Sequence, residues 1–252
     1  MKDILKLLAE GQISLEDAER RLKLFAVHEL RGMANLDIGR NSRVGKPEIV
    51  SAKAKTDERV ISLAQPILDA EGLVIVSNAS EQLTKLLAEA NTGVNINYDS
   101  EAAVLVAKKD DYKTSQINGR VAIVTAGTSD MPVALQSKVI LDAFEVNLDL
   151  YQDVGIAGLH RLLGAVEKII ENDTSVIIAV AGQEGGLAPV LTGLVDIPII
   201  GVPTSTGSGF AGEGVAALST MLQSCSLGLS VVNIDNGLAA SMVALTMLKQ
   251  MK

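Results

Sequence analysis

Between residues 119 and 252, short apolar runs alternate with helix-length stretches, and this alternation constrains the fold more than any other feature of the chain. The runs are "VAIVTAG" (121–127), "EVNLDLY" (145–151), "SVIIAVAG" (175–182), "IPIIGVP" (197–203) and "LSVVNID" (229–235). Parallel strands need a crossover of about a dozen residues or more, usually a helix, so this spacing predicts a parallel, doubly wound α/β sheet. Three of the five runs are apolar almost throughout, as strands covered by helices on both faces must be. Ligands of such sheets bind beyond the carboxyl ends of the strands, so the strand-to-helix turns are where function is written.

Composition agrees. Hydrophobic residues make up 48% of the 252 and charged residues 21%, which excludes disorder. Aromatics are 2% with no Trp, so the core is built from Ala, Val, Ile and Leu. The net charge is −8, from 22 basic and 30 acidic residues, with no basic stripe. This argues against nucleic acid or an anionic membrane as partner. The opening "MKDILKLLAEGQISLEDAERRL" is too charged for a secretory h-region, and the apolar runs are too short to span a bilayer. One cysteine allows no internal disulfide and suits a reducing compartment. Together these features point to a cytoplasmic protein.

The first 115 residues read as a smaller α/β domain. Helices are expected over 3–9 and 14–30, the second with Ser14 as N-cap and Glu16 and Asp17 in its first turn. A polar, Gly- and Pro-punctuated segment (35–56) follows. Then come a helix near 57–70, a strand at 72–78, a helix at 80–90 and strands at 93–99 and 102–108. "KDDYKTSQINGR" (109–120) is the expected linker.

Each turn of the larger domain carries polar chemistry. "VTAGTSDMPVA" (124–134) runs from a strand through Thr128, Ser129 and Asp130 to a Pro suited to a helix's first turn. It reads as an anion site at a helix start or as a plain N-cap; it is neither a Walker A loop nor a GxGxxG turn. "DVGIAGLHRLL" (153–163) sets His160 and Arg161 early in a helix, where a histidine is either structural or chemical. "AVAGQEGGLAP" (179–189) flanks Glu184 with Gly182, Gly185 and Gly186, the pattern of a carboxylate facing a closely approached ligand, or of a solvated turn. "GVPTSTGSG" (201–209), with Thr204 and Ser205, offers hydroxyls to a phosphate, carboxylate or amide. "LQSCSLGLSVVNIDNG" (222–237) places Cys225 ahead of the last strand and Asn233, Asp235 and Asn236 at its end; the thiol is inert core or a nucleophile. Five such turns at one rim favour a small-molecule site there.

Through "GTSD", "GLHRL", "GQEGGLAPVLTGL", "PTSTGSG" and "LQSCSLGLSVVNIDNG", residues 119–252 resemble the aminoimidazole-ribonucleotide carboxylase/mutase superfamily. "LDIGRNSRVGKPEIV" (36–50) resembles the Asp-x-x-Arg-x-x-Arg-x-Gly-x-Pro-Glu stretch of the LarB-type enzymes of nickel-pincer cofactor biosynthesis, and purine carboxylases lack it. His160–Arg161 stands in a different frame from the purine enzymes' Ser-Ala-His-Arg, as is usual in the LarB-type family.

The resemblance implies a small N-terminal domain joined to a flavodoxin-like, three-layer αβα domain (119–252), assembled as a homo-octamer. The implied reaction carboxylates the pyridinium ring of nicotinic acid adenine dinucleotide at C5 with carbon dioxide or bicarbonate. It also hydrolyses the phosphoanhydride, giving pyridinium-3,5-biscarboxylic acid mononucleotide and AMP, with magnesium at the hydrolytic step. Cys225 would add to the ring and Glu184 would serve as base. Ser129, with Thr128, would hold phosphate, and Asp130 would act on the ring or ribose. Asp37, Arg40, Arg43 and Glu48 would serve the adenylate–phosphate end, Asp37 being the candidate metal ligand. His160, Gly182, Gly185, Thr204, Ser205, Asn233, Asp235 and Asn236 would line the substrate site. Two rival readings are an aminoimidazole-ribonucleotide carboxylase or mutase, and a non-catalytic sensor of a pyridine dinucleotide, which would bind ligand without Cys225.

Overall fold

A computed structural model describes residues 2–23, 28–30, 34–36, 40 and 44–251. The chain divides into two compact units, residues 1–113 and 114–252.

The first unit opens with helices α1 (Lys2–Ala9) and α2 (Leu15–Lys23). Ser14 Oγ accepts from the Asp17 N–H at 3.0 Å, the expected N-cap. The second helix was expected to run to residue 30. It ends at Lys23, and His28–Leu30 forms strand β1, paired antiparallel with β2 (Ala34–Leu36).

A four-stranded mixed sheet follows, in the order β3 (Ile49–Ser51), β4 (Leu73–Ser77), β6 (Val104–Lys109), β5 (Val94–Asp99). Helices α3 (Asp57–Glu71) and α4 (Glu81–Ala90) cover it; Leu63, Ile67, Leu83 and Leu87 meet Val74, Val76, Leu105 and Ala107. Thr56 and Ser80 cap the two helices, and Gly72 ends α3 in the left-handed conformation.

The second unit is a five-stranded parallel sheet. Its strands are β7 (Arg120–Thr125), β8 (Asn147–Tyr151), β9 (Val176–Ala181), β10 (Ile199–Pro203) and β11 (Leu229–Val231). Their spatial order is β8-β7-β9-β10-β11, the flavodoxin-like 2-1-3-4-5 arrangement. Every residue of β9 and β10 is buried, as two-sided coverage requires.

Helices α6 (Leu159–Glu171), α7 (Leu187–Thr192) and α8 (Val215–Leu222) form one layer, with Leu162, Ile169, Leu187, Leu191 and Met221 against Ala122, Val124, Ile177 and Ala179. Helices α5 (Met131–Ala143) and α9 (Gly237–Gln250) form the other, α9 lying on α5, β9 and β10. The fold is thus α/β, a small mixed-sheet unit followed by a three-layer αβα unit. Among the described residues no helix is long and apolar enough to cross a membrane.

The last strand is shorter than the expected 229–235. It stops at Val231, and Asp235 adopts φ 56°, so the polar tail forms the turn that starts α9. An Asp tolerates that left-handed conformation better than an apolar residue does.

Candidate functional site

Strand β7 is the pivot of the parallel sheet. The chain passes from it to β8 on one side, then crosses back to β9 on the other, which makes the crevice between β7 and β9 the topological switch point. Thr125 is level with Val180, and Ala181 with Pro203, so the turns after β7, β9 and β10 rise from one rim. A cleft of about 270 Å³ lies there. The turn after β7 lines it with Ser129 and Asp130, the turn after β8 with Gly155, Ile156 and Ala157, the turn after β9 with Gly182, Gln183 and Glu184, and the loop after β10 with Thr206. Ligand pockets commonly run ~300–1,000 Å³, so this volume suits a phosphate and sugar rather than a whole dinucleotide.

Asp130 organises the rim. It is 3% exposed, and both its oxygens are engaged. Oδ2 accepts the Gly127 N–H at 2.9 Å, while Oδ1 accepts the Thr204 hydroxyl at 2.7 Å and the Thr206 hydroxyl at 3.0 Å. Asp130, expected to act on the ring or ribose, lines the cleft and ties the turn after β7 to the loop after β10. Thr128, Ser129 and Asp130 form a short 3₁₀ turn leading into α5, with Ser129 exposed in the cleft and Thr128 exposed outside its lining. The first N–H groups of such a helical start lack intrahelical partners, which suits a phosphate.

Glu184 is exposed in the cleft and has no hydrogen bond or ion pair among the described residues. Its flanking glycines were expected to admit a ligand. The structure gives two of them a packing role. A Cβ on Gly182 would lie 2.3 Å from Thr206 Oγ1 and 2.6 Å from Thr204 Oγ1. Gly185 is buried outside the cleft lining at φ 70°, where a Cβ would meet the Ala217 carbonyl oxygen at 2.7 Å. Further bonds brace the turns. Gly155 N–H donates to Ala126 O at 2.9 Å, Ser208 N–H to Gln183 Oε1 at 3.4 Å, and Ser205 N–H to Asp235 Oδ1 at 2.8 Å.

Several expected site residues do other work. Thr204 is fully buried beneath the rim. Ser205 is exposed outside the cleft lining, and its N–H satisfies Asp235. Asn236 caps α9 by accepting the Ala239 N–H, and Asn233 accepts its neighbour's, the Ile234 N–H. None of Asn233, Asp235 and Asn236 lines the cleft. Each was expected to bind substrate because polar residues at a strand end look alike whether they cap or bind.

His160 lies in a separate cavity of about 510 Å³ with Arg161 and Tyr151. Arg161 is paired to Asp153 at 2.5 Å, and burial, with the Asp149 carboxylate nearby, pushes the Tyr151 hydroxyl up.

Cys225 is exposed, in the turn between α8 and β11. β11 begins at Leu229, level with Ile199, the first residue of β10, so Cys225 precedes the amino ends of the strands. Glu184 follows their carboxyl ends. A five-residue strand spans roughly 16 Å, so one copy of the chain does not bring the two together. Instead Cys225 borders a cavity of about 660 Å³ with Pro189, Val190, Ser219 and Thr220, beside Leu222 and Leu227, which are 65% and 91% exposed.

In the first unit Arg40 pairs with Glu48 at 3.3 Å; Asp37 and Arg43 lie outside the described residues. Among those described, no group of three or more His, Cys, Asp or Glu is placed to hold a metal ion. Glu48 faces the Arg40 guanidinium, and Asp130 accepts three hydrogen bonds within the rim. Thr206, Gln183, Ile156 and Ala157 were not singled out from the sequence. Thr206 stood within the quoted "PTSTG", but nothing in residue type separated it from Thr204 and Ser205.

The AIR carboxylase family model matches residues 120–252, and that of the LarB/PurE-like N-terminal domain matches 28–109. The chain is 41% identical over 248 residues to the uncharacterized protein MJ0165 of Methanocaldococcus jannaschii, covering 97% of this chain and 95% of the relative. It is 31% identical over 130 residues to the N5-carboxyaminoimidazole ribonucleotide mutase of Pyrococcus abyssi, covering 51% and 73%. With the mutase of Thermotoga maritima the identity is 28% over 134 residues, covering 51% and 74%. The switch-point cleft lies wholly within the first matched region, and the chain belongs to the AIR carboxylase family, its catalytic-type unit joined to a LarB/PurE-like N-terminal domain.

Proposed function

We propose that this protein is a pyridinium-ring carboxylase and phosphoanhydride hydrolase, converting nicotinic acid adenine dinucleotide, carbon dioxide and water to pyridinium-3,5-biscarboxylic acid mononucleotide and AMP. The observation that carries this reading is the N-terminal match. The LarB/PurE-like domain covers residues 28–109, whereas the mutase similarities extend over only about half of the chain. Carboxylation of an aminoimidazole needs neither that domain nor a thiol.

A pyridinium ring is electron-poor, and its C5 is no nucleophile. Addition of the Cys225 thiolate to C4 removes the aromaticity and makes C5 the nucleophilic carbon of a dihydropyridine. C5 attacks carbon dioxide and forms the new C–C bond. Glu184 then takes the C5 proton, the C4–S bond breaks, and the thiolate leaves as the aromatic cation returns. Sulfur suits both roles, being a strong nucleophile and a good leaving group. The Ser129 turn would hold the phosphate nearest the reacting ring.

In this reading the thiol is supplied by another copy of the chain in a homo-octamer, since Cys225 lies at the opposite rim from Glu184 of the same copy. The exposed Leu222 and Leu227 beside the cysteine suit such a contact. Arg40 and Glu48 would serve the adenylate–phosphate end. No step is assigned to magnesium.

The test incubates the protein with nicotinic acid adenine dinucleotide, labelled bicarbonate and magnesium, and follows the products by mass spectrometry. Label should enter the mononucleotide and AMP should appear. Cys225→Ser should abolish labelling while circular dichroism stays unchanged. Full labelling by that variant would remove the covalent step, and conversion of N5-carboxyaminoimidazole ribonucleotide instead would establish the mutase reading.

A further inference from the structure

We infer that Thr206 determines sugar specificity, its hydroxyl oxygen accepting a hydrogen bond from a ribose hydroxyl of the ligand. The inference rests on the proposed nucleotide substrate and extends it to a residue given no part in ligand binding above.

It follows from counting protons. Asp130 Oδ1, Thr204 Oγ1 and Thr206 Oγ1 form a triangle with sides of 2.7, 2.8 and 3.0 Å. A carboxylate brings no proton and each threonine brings one, so two protons serve three close contacts. Thr204 is fully buried, and its proton remains within the triangle. The Thr206 proton has two inward acceptors, one of them a carboxylate, and a hydrogen bond to a carboxylate is about twice as strong as one between neutral groups. Thr206 itself is exposed and lines the cleft. What it offers a ligand is therefore a lone pair.

The cleft is thus polarised. The Ser129 turn supplies donors and suits a phosphate, whereas Thr206 and Glu184 supply acceptors. A phosphate oxygen gains nothing from an acceptor, but a sugar hydroxyl can donate to it. One sugar phosphate can satisfy both ends, phosphate toward Ser129 and hydroxyl toward Thr206. Removing that hydroxyl would leave Thr206 unpaired inside a filled cleft, which costs affinity.

Calorimetric titration of the full chain with ribose 5-phosphate, 2-deoxyribose 5-phosphate and 3-deoxyribose 5-phosphate tests this. The wild type should prefer ribose 5-phosphate over at least one deoxy analogue by about 3- to 10-fold, the range expected of a single hydrogen bond. Thr206→Val should lose that preference and Thr206→Ser should keep it. A merely structural role would weaken all three sugars alike and leave their ratio unchanged. A preference retained by Thr206→Val, no preference in the wild type, or no binding of any of the three would overturn the inference. Carboxylation of nicotinic acid adenine dinucleotide is scored separately. If it occurs while the sugar preference ignores Thr206, only this inference falls; if the preference depends on Thr206 and no carboxylation occurs, only the reaction falls.

Discussion

Thr204 and Asp130 stand 74 positions apart in sequence, yet the threonine hydroxyl donates to the aspartate at 2.7 Å and joins two rim turns that arise from different strands. With Gly127 and Thr206 it makes Asp130 the acceptor of three donors at once. Asp130→Asn sets an NH₂ group against one of those donors. Stability should fall by ~1–3 kcal/mol, the usual cost of a buried polar mismatch, and sugar-phosphate affinity should fall with it. Urea unfolding and calorimetry measure the two; unchanged values in both would show that the link organises nothing.

Gly182 sits directly beneath the two threonine hydroxyls. Gly182→Ala overpacks the rim and should destabilise by ~1–3 kcal/mol. In a Thr206→Ala background the penalty should shrink, giving a coupling of ~0.5 kcal/mol or more in a double-mutant cycle. Strict additivity would place the conflict elsewhere.

Placing Cys225 and Glu184 at opposite rims predicts complementation. Cys225→Ser and Glu184→Gln should each abolish carboxylation in pure form. Dissociated together and reassembled, they should recover activity, because some clefts then pair an intact carboxylate with an intact thiol from a neighbour. Labelled bicarbonate reads the result. A mixture as inactive as its components would return both groups to one copy of the chain.

Helices α5 and α9 approach closely at Gly237, where a Cβ would fall 2.1 Å from the Val133 carbonyl oxygen. A backbone oxygen cannot swing aside as a side chain can. Gly237→Ala should therefore cost ~3 kcal/mol, at the upper end of overpacking, and lower Tm by about 6–12 °C. Differential scanning calorimetry checks it.

The layered architecture was legible because apolar runs and crossover lengths are local properties of the chain. The stop of β11 at Val231 was less so, since "VVNID" carries both a strand's residues and a turn's. In the cleft, Ser129, Glu184 and Gly182 were found by the rule that strand-to-helix turns carry the site. Thr206 was not, because its part depends on a partner 76 positions away. Asn233, Asp235 and Asn236 lie outside the cleft lining and make local bonds, and residue type alone does not separate a cap from a ligand contact. Cys225 shows a further limit. Its neighbours in sequence suggested the cleft, but α8 runs back across the sheet before the chain reaches it.

The bracing of the rim bears on how such a protein can change. Many folds acquire new substrates by lengthening a loop. Here Gly155 bonds Ala126, Ser208 bonds Gln183, Thr204 bonds Asp130 and Ser205 bonds Asp235, so an insertion in any one turn would dislodge the next. Diversification of this half of the molecule is confined to exchanging the outermost side chains, among them Ser129, Ala157 and Glu184, on a frame whose lengths are fixed.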